Sequence, residues 1–185
     1  MKAFGASLML SASRKDVAAA IASGLPAGLV LPQSLPAEGE AEADDDDAEL
    51  RVAFDFDGVI AGDESERAYQ AGGFEQFQQH EAENANRPMQ PGPLTELFQK
   101  LSAFQSLEAE KSQADRSYHP ASRTCIVTSR GAPNQRRIVR TLQALQSLGM
   151  SAAELVLLDG SPKHHILDQL KPHIFFDEQL QILQN

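Results

Sequence analysis

Carboxylate, hydroxyl and ammonium side chains follow four short apolar runs in this sequence. The first run leads into Asp55 to Gly58, the second into Thr128 to Arg130, the third towards Lys163, and the fourth into Asp177 to Glu178. Transfer of a phosphoryl group requires charge neutralisation, an aligned nucleophile and a proton donor for the leaving oxygen. If one sheet edge collects these side chains, each requirement has a candidate residue.

The three aspartates among them have different predicted roles. Asp55 and Asp177 are hard oxygen ligands that suit Mg²⁺, and a carboxylate beside that ion can itself form an aspartyl-phosphate. Asp57 lies just beyond the first run, where it can act as general acid and then activate water. Gly58 permits the sharp turn that this placement needs. We therefore predict a Mg²⁺-dependent phosphohydrolase with Asp55 as its nucleophile.

Three other residues are predicted to bind the substrate phosphate: Thr128, Ser129 and Lys163. Thr128 can donate a hydrogen bond to a phosphoryl oxygen, assisted by backbone N–H groups of the following turn. We expect Ser161 to cap the next helix and Pro162 to start it, which puts Lys163 in the first helical turn. A cation is unfavourable there against the helix dipole, so its presence favours a bound anion nearby.

The four apolar runs alternate with helical patterns in the second half of the chain. The predicted strands are Arg51 to Asp55, Thr124 to Thr128, Glu154 to Leu158 and His173 to Phe176. Strands of nearly continuous apolar residues, separated by helices, are typical of a parallel sheet covered on both faces. We predict an α/β fold whose strands end along one edge, where such sheets bind ligands.

A long insertion, about 61–122, separates the first predicted strand from the second. Two helical stretches are predicted within it, Glu64 to Asn84 and Pro93 to Glu110, and we expect them to form a small helical cap over the sheet edge. Base recognition by this cap has five candidate contacts, although aromatic residues on amphipathic helices more often belong to the core. These candidates are Glu64, Tyr69, Phe74, His80 and Glu81. Arg130, which follows the second apolar run, is a further candidate substrate contact that could assist phosphate binding or be solvated.

Composition limits the classes of partner and compartment. The chain has 185 residues, a net charge of −10 and no uninterrupted apolar run long enough to span a membrane. An acidic protein is a poor partner for a nucleic-acid polymer, and we expect a small-molecule substrate, no membrane and no polymer. The single cysteine, Cys125, lies in an apolar run and is expected to be a buried hydrophobe in a reducing, cytoplasmic protein.

Three parts are predicted along the chain. Residues 1–31 form a strand, Ala6 to Leu10, followed by an alanine-rich helix. Residues 32–48 contain prolines and most of eight acidic residues between Glu38 and Glu49, which is typical of a flexible linker. Residues 49–185 are the predicted catalytic domain with its cap insertion.

The polar ends of the four runs resemble the motifs of the haloacid dehalogenase-like phosphatases. The matching segments are Phe54 to Val59, Val127 to Ser129, Lys163, and Phe176 to Glu178. This resemblance implies a Rossmann-like core and repeats the roles already assigned to Asp55, Asp57, Thr128 and Lys163. It also implies Mg²⁺ bound by Asp55, Asp177 and the Asp57 carbonyl oxygen, with Glu178 as a candidate outer-sphere contact.

A narrower resemblance, to the cytosolic 5'-nucleotidase family, extends over most of the chain from Leu50. It is carried by Leu50 to Asp55, Asp63 to Glu66, His80-Glu81, Gly92 to Leu94, Arg137 to Leu142 and Pro172 to Asp177. It implies a phosphoric monoester hydrolase that converts nucleoside 5'-monophosphates to nucleosides and phosphate. Two alternatives stay open: a phosphatase for another small phosphate ester, and a non-catalytic regulatory or binding homologue.

The resemblance also implies that this chain corresponds to the C-terminal, catalytic part of a longer family member. Residues Ala3 to Leu31 are similar only to the tail of an N-terminal half. An unpaired sheet edge or exposed apolar face would follow there, which predicts self-association into a homo-oligomer.

Overall fold

A computed structural model describes residues 5–30, 48–84, 87, 89–130 and 135–178 of the chain. Within these ranges, only the backbone is described for residues 66, 74, 78 and 135–140. The chain divides into two compact units, Met1–Glu49 and Leu50–Asn185. None of the helices in the described ranges is long and apolar enough to cross a membrane. The predicted acidic linker falls almost wholly outside the described residues, so it stays a prediction.

The first unit contains a small parallel β-α-β element. Strand β1 (Met9–Ser11) pairs in parallel with strand β2 (Ala27–Leu29), and helix α1 (Arg14–Ala22) connects them. The side chain of Ser13 caps the helix by accepting a hydrogen bond from a first-turn backbone N–H. The predicted strand is thus present but begins later than Ala6, and β2 was not predicted. Self-association through this unit stays a prediction.

The second unit is built on a four-stranded parallel sheet. Its strands are β3 (Leu50–Phe54), β4 (Ser122–Thr128), β5 (Glu154–Leu157) and β6 (Ile174–Phe176), in the spatial order β5-β4-β3-β6. All three pairings are parallel. The predicted α/β fold with a parallel sheet flanked by helices is confirmed, and all four predicted strands are present within a residue or two of their expected bounds.

Alternate residues of the central strands cover the two faces of this sheet, as the two-residue period of a strand requires. On one face, Ala53, Cys125 and Val127 form a buried cluster. Helix α5 (His164–Leu170) packs against it through Ile166, Leu167 and Leu170. The buried position of Cys125 agrees with its expected role as a small core residue.

The other face is covered by a helix of the insertion, α3 (Thr95–Ala114). Phe54 and Phe98 are fully buried there, with their rings edge to face and their centroids 5.1 Å apart. The ring centroid of Phe176 also lies 5.1 Å from that of Phe54. Aromatic packing of this kind fixes α3 on the sheet and therefore fixes one side of the insertion.

The insertion also contains helix α2 (Glu64–Glu83), which is folded back on itself. Its backbone leaves helical geometry at Gly72 and Gly73, where Gly73 has φ 68° and ψ −159°. A straight helix would separate Ser65 from Glu81 by about 24 Å, given a rise of about 1.5 Å per residue. The Ser65 hydroxyl instead donates to the Glu81 carboxylate at 2.5 Å. The first predicted cap helix is therefore a hairpin of two helical arms.

The connection from α3 to β4 is held by the carboxylate of Glu108. It accepts hydrogen bonds from the Tyr118 hydroxyl at 3.0 Å, the Ala121 backbone N–H at 2.6 Å and the Ser122 hydroxyl at 2.8 Å. Burial opposes ionisation of Glu108, but these hydrogen bonds outweigh it and lower its pKa below the ordinary value. The anionic side chain of Glu108 therefore fixes the conformation of the loop between α3 and β4. The remaining helix, α4 (Gln135–Ser147), connects β4 to β5.

Candidate active site

The topology of the sheet brings two predicted site residues to one edge of the sheet. The chain passes outward from β3 to β4 and β5, and then returns to place β6 on the opposite side of β3. Asp55 directly follows β3, and Asp177 directly follows β6. The Asp55 backbone N–H donates to the Phe176 carbonyl oxygen at 2.8 Å, which holds the two strand ends together. A switch point of this kind is where open α/β sheets bind ligands.

Lys163 bridges these two carboxylates. Its Nζ lies 2.8 Å from Asp55 Oδ2 and 2.8 Å from Asp177 Oδ2. All three side chains are buried: Lys163 is 3% exposed, Asp55 is 7% exposed and Asp177 is 2% exposed. Burial raises the pKa of Asp55 to about 6 despite the attraction of Lys163. Burial disfavours the Lys163 cation too, but the two carboxylates outweigh that effect and raise its pKa.

The route by which Lys163 reaches this position differs from the predicted one. Asp159 and Gly160 form a left-handed turn with φ of 50° and 79°. This turn precedes Pro162. Helix α5 begins at His164, two residues after Pro162, and Lys163 is its N-cap residue. The expectation that Ser161 caps the helix was therefore wrong. The ammonium group is placed by burial between two carboxylates rather than by a position inside the first turn.

Thr128 lies at the end of β4 and is 1% exposed. Its Oγ1 accepts a hydrogen bond from the Arg130 backbone N–H at 3.2 Å. A hydroxyl that accepts one hydrogen bond can still donate its own hydrogen, so this geometry is compatible with the predicted phosphate contact. Ser129 is exposed, and its carbonyl oxygen accepts from the Gly160 N–H at 3.0 Å. The backbone thus joins the loops that follow β4 and β5.

Asp57 is held by an arginine that the sequence placed only among the candidate substrate contacts. Arg130 donates from Nε to Asp57 Oδ2 at 2.7 Å and from Nη2 to Asp57 Oδ1 at 2.6 Å. The arginine side chain is 1% exposed and the aspartate side chain 14%. Burial opposes the arginine charge, but Asp57 and Glu81 outweigh it and raise the pKa of Arg130 further above its ordinary value.

The turn after β3 brings Glu178 beside the Asp57 segment. Gly58 has φ 72°, a conformation that favours glycine. A β-carbon at Gly58 would overlap the carboxylate of Glu178, so the two residues are in close contact. Glu178 is otherwise exposed at the end of the described chain, and its predicted outer-sphere role stays a prediction.

The other candidates for base recognition lie on α2 in differing environments. Tyr69 is 50% exposed, and its ring meets Phe77 edge to face at 6.3 Å. His80 is partly buried, with an Nε2 atom that has no hydrogen-bond partner within the described part of the chain. Glu64 is half-buried at the start of the helix. The side chain of Phe74 lies outside the described residues. Their roles in substrate binding stay predictions.

The donor set at the switch point suits a hard divalent cation. Asp55 and Asp177 direct one oxygen each to the same Nζ atom, so a single cation can reach both carboxylates. Within the described ranges, no three histidine, cysteine, aspartate or glutamate side chains lie close enough to share a metal ion. The side chain of Asp57 is turned to Arg130, which leaves its backbone carbonyl as the group predicted to face a metal.

The fold and this site define an α/β protein of the Rossmann-like type with a carboxylate and lysine centre at the switch point of its sheet. The chain belongs to the 5'-nucleotidase family, since the family model described as 5'-nucleotidase matches residues 1–185. It is also 32% identical over 180 residues to human cytosolic 5'-nucleotidase 1B. That alignment covers 97% of this chain and 28% of the human protein. No solved structure matches the chain. The resemblance to the 5'-nucleotidase family that was seen in the sequence is thereby confirmed.

Proposed function

We propose that this chain hydrolyses nucleoside 5'-monophosphates to nucleosides and phosphate. The observation that carries the proposal is the convergence of Asp55, Asp177 and Lys163 at the switch point of the sheet in a member of the 5'-nucleotidase family. The human relative is named a cytosolic 5'-nucleotidase, which supports a nucleotide substrate and a cytoplasmic location for this chain.

The reaction proceeds in two displacements. A carboxylate oxygen of Asp55 attacks phosphorus, and the bond between phosphorus and the 5'-oxygen breaks while Asp57 gives its proton to that oxygen. Asp57 then accepts a proton from water, and the resulting hydroxide attacks the phosphorus of the aspartyl-phosphate. The acyl phosphate bond breaks, phosphate leaves, and Asp55 and the protonated Asp57 are regenerated.

Charge neutralisation supports the attack. Lys163 favours the ionised form of Asp55 against the burial that raises its pKa, and it presents a positive charge to the phosphate. Thr128 donates a hydrogen bond to a phosphoryl oxygen from its hydroxyl. Mg²⁺, held by the carboxylates of Asp55 and Asp177 and the carbonyl of Asp57, would supply further positive charge to the nonbridging oxygens.

The test is release of phosphate from a panel of nucleoside monophosphates and sugar phosphates, with Mg²⁺ and with EDTA. Wild-type protein should prefer the nucleotides and require the metal, and Asp55→Asn should be inactive, because an amide does not act as the nucleophile. Asp168→Asn, a change at an exposed position on α5, is the matched control. Preference for a sugar phosphate would contradict the substrate assignment, and nucleotide binding without turnover would favour a regulatory role.

A further inference from the structure

A buried cluster connects the helical insertion to Asp57. Its centre is the guanidinium of Arg130, which donates to Asp57 through Nε and Nη2 and to Glu81 Oε2 through Nη1 at 3.0 Å. The same Nη2 lies 3.1 Å from the hydroxyl oxygen of Ser65. The side chain of Glu81 is 6% exposed and Ser65 is fully buried. The Arg130 cation is thus shared by the carboxylates of Asp57 and Glu81, and all three side chains have little exposure to solvent.

The insertion contributes to this cluster from both arms of its hairpin. Ser65 lies in the first arm of α2 and Glu81 in the second, with the reversal at Gly72 and Gly73 between them. The hydrogen bond from Ser65 to Glu81 closes the hairpin at the position of Arg130. The contacts that Ser65 and Glu81 make together with the guanidinium therefore require this folded-back conformation of the insertion.

The geometry around Arg130 determines the orientation of Asp57. A guanidinium is planar and donates in a fixed fork, so two parallel hydrogen bonds orient a carboxylate in both position and plane. The Arg130 fork is itself fixed, with Glu81 on its Nη1 side and the ring of Phe56 at 5.2 Å from its central carbon. Loosening Glu81 would therefore release Arg130 and, through it, Asp57.

We propose that Ser65 and Glu81 are positioning residues for the proton transfers of Asp57, and that they act through Arg130. The inference rests on the proposed function, in which Asp57 protonates the leaving oxygen. It assigns Glu81 to the support of Asp57 rather than to recognition of the base, and Arg130 to the same support rather than to phosphate binding.

The test uses two substrates that differ in their need for a proton donor. A nucleoside monophosphate releases an alkoxide, which requires protonation, whereas p-nitrophenyl phosphate releases a stable phenolate. Glu81→Gln should lower kcat/KM for the nucleotide by about 10-fold or more and leave kcat/KM for p-nitrophenyl phosphate within about twofold. Ser65→Ala should give a smaller loss in the same direction. Glu75→Gln, on an exposed surface of the same helix, is the matched control and should match wild type on both substrates.

A double-mutant cycle separates positioning from general damage to the fold. In an Asp57→Asn background, Glu81→Gln should cause no further loss of kcat/KM for the nucleotide, since the group that it positions no longer transfers a proton. Equal losses on both substrates, or additive losses in the cycle, would overturn the inference. If Glu81→Gln does not fold, judged by circular dichroism, Ser65→Ala and Arg130→Lys decide the question on the same two substrates.

Failure of the proposed function gives a different result. If wild-type protein hydrolyses neither substrate, or if Asp57→Asn retains wild-type kcat/KM for the nucleotide, the role of Asp57 is wrong and the inference falls with it. If Asp57→Asn has a lowered kcat/KM for the nucleotide and Glu81→Gln behaves as wild type, only the positioning role is refuted.

Discussion

Replacing Asp55 with asparagine should stabilise the metal-free protein at neutral pH while it removes activity. The carboxylate of Asp55 is 7% exposed, and it shares Lys163 with the carboxylate of Asp177. Burial outweighs the attraction of the lysine and raises the pKa of Asp55 from 3.8 to about 6. Ionisation of Asp55 therefore lowers the free energy of unfolding. Asparagine preserves the shape of the side chain without the charge.

The magnitude and pH window follow from this pKa. Between pH 3.8 and about 6 the folded state keeps a proton on Asp55 that the unfolded state has released. The unfolded state binds fewer protons there, so stability falls as the pH rises through that window and the full cost is present above it. A shift of about two units corresponds to about 3 kcal/mol at pH 7. Asp55→Asn should accordingly raise Tm by roughly 5–10 °C at pH 7 and have little effect near pH 4.

The assay is thermal unfolding of wild type, Asp55→Asn and the exposed control Asp168→Asn in EDTA, from pH 4 to pH 8. A rise in Tm relative to wild type should appear only for Asp55→Asn, and it should increase between pH 3.8 and about 6. Adding Mg²⁺ should raise the Tm of wild type more than that of the variant. The cation binds to the negative charge of the Asp55 carboxylate, which asparagine does not have. A Tm for Asp55→Asn equal to or below wild type at pH 7 would show that the attraction of Lys163 exceeds the cost of burial.

Three further predictions concern the stability and packing of the fold. Glu108→Gln should destabilise the protein by about 2 kcal/mol at pH 7, since the amide cannot accept all of the hydrogen bonds at this carboxylate. The lowered pKa of Glu108 means that this difference should shrink as the pH falls below its ordinary value of 4.5 and through its folded value. Gly73→Ala should cost about 1–3 kcal/mol in thermal unfolding, because its φ of 68° with ψ of −159° strains any side chain. The thiol of Cys125, with its pKa raised to about 12 mainly by burial, should resist thiol reagents at pH 8 until guanidinium unfolds the protein.

Each of these has a control or a contrary outcome. Gly62→Ala has ordinary contact distances for its new methyl group and should be tolerated, which separates strain at Gly73 from a general effect of adding a methyl group. Equal pH profiles for wild type and Glu108→Gln would contradict an anionic Glu108. Labelling of Cys125 in the native protein at the rate of a small-molecule thiol would contradict its burial.

The sequence was sufficient to predict the sheet and the strand ends. Parallel strands place their carboxyl ends at one edge, so the run that ends at Asp55 and the run that ends at Asp177 could be assigned to a common site from their order alone. The bridging role of Lys163 was only partly predictable. Its proximity followed from topology, but its N-cap position depends on the left-handed turn at Asp159 and Gly160, whose geometry the residue types did not specify.

The arginine cluster could not be predicted, because it depends on contacts between distant segments. Arg130 contacts Asp57 from the neighbouring strand end, and it contacts Glu81 in the second arm of the insertion hairpin. A signal for this fold was present in the sequence, since adjacent glycines at 72 and 73 interrupt a helical pattern. Their interpretation as a reversal, rather than as two weak helical positions, requires the hydrogen bond that joins the two arms.

The proposed reaction requires Asp55 to form a covalent bond to the substrate phosphate. It is tested by mixing protein with a nucleoside monophosphate and Mg²⁺, quenching with acid within the first turnover, and measuring peptide masses. We expect one added phosphoryl group on the peptide that contains Asp55, and none in Asp55→Asn. A phosphoryl group on another residue, or turnover by Asp55→Asn at the wild-type rate, would contradict it.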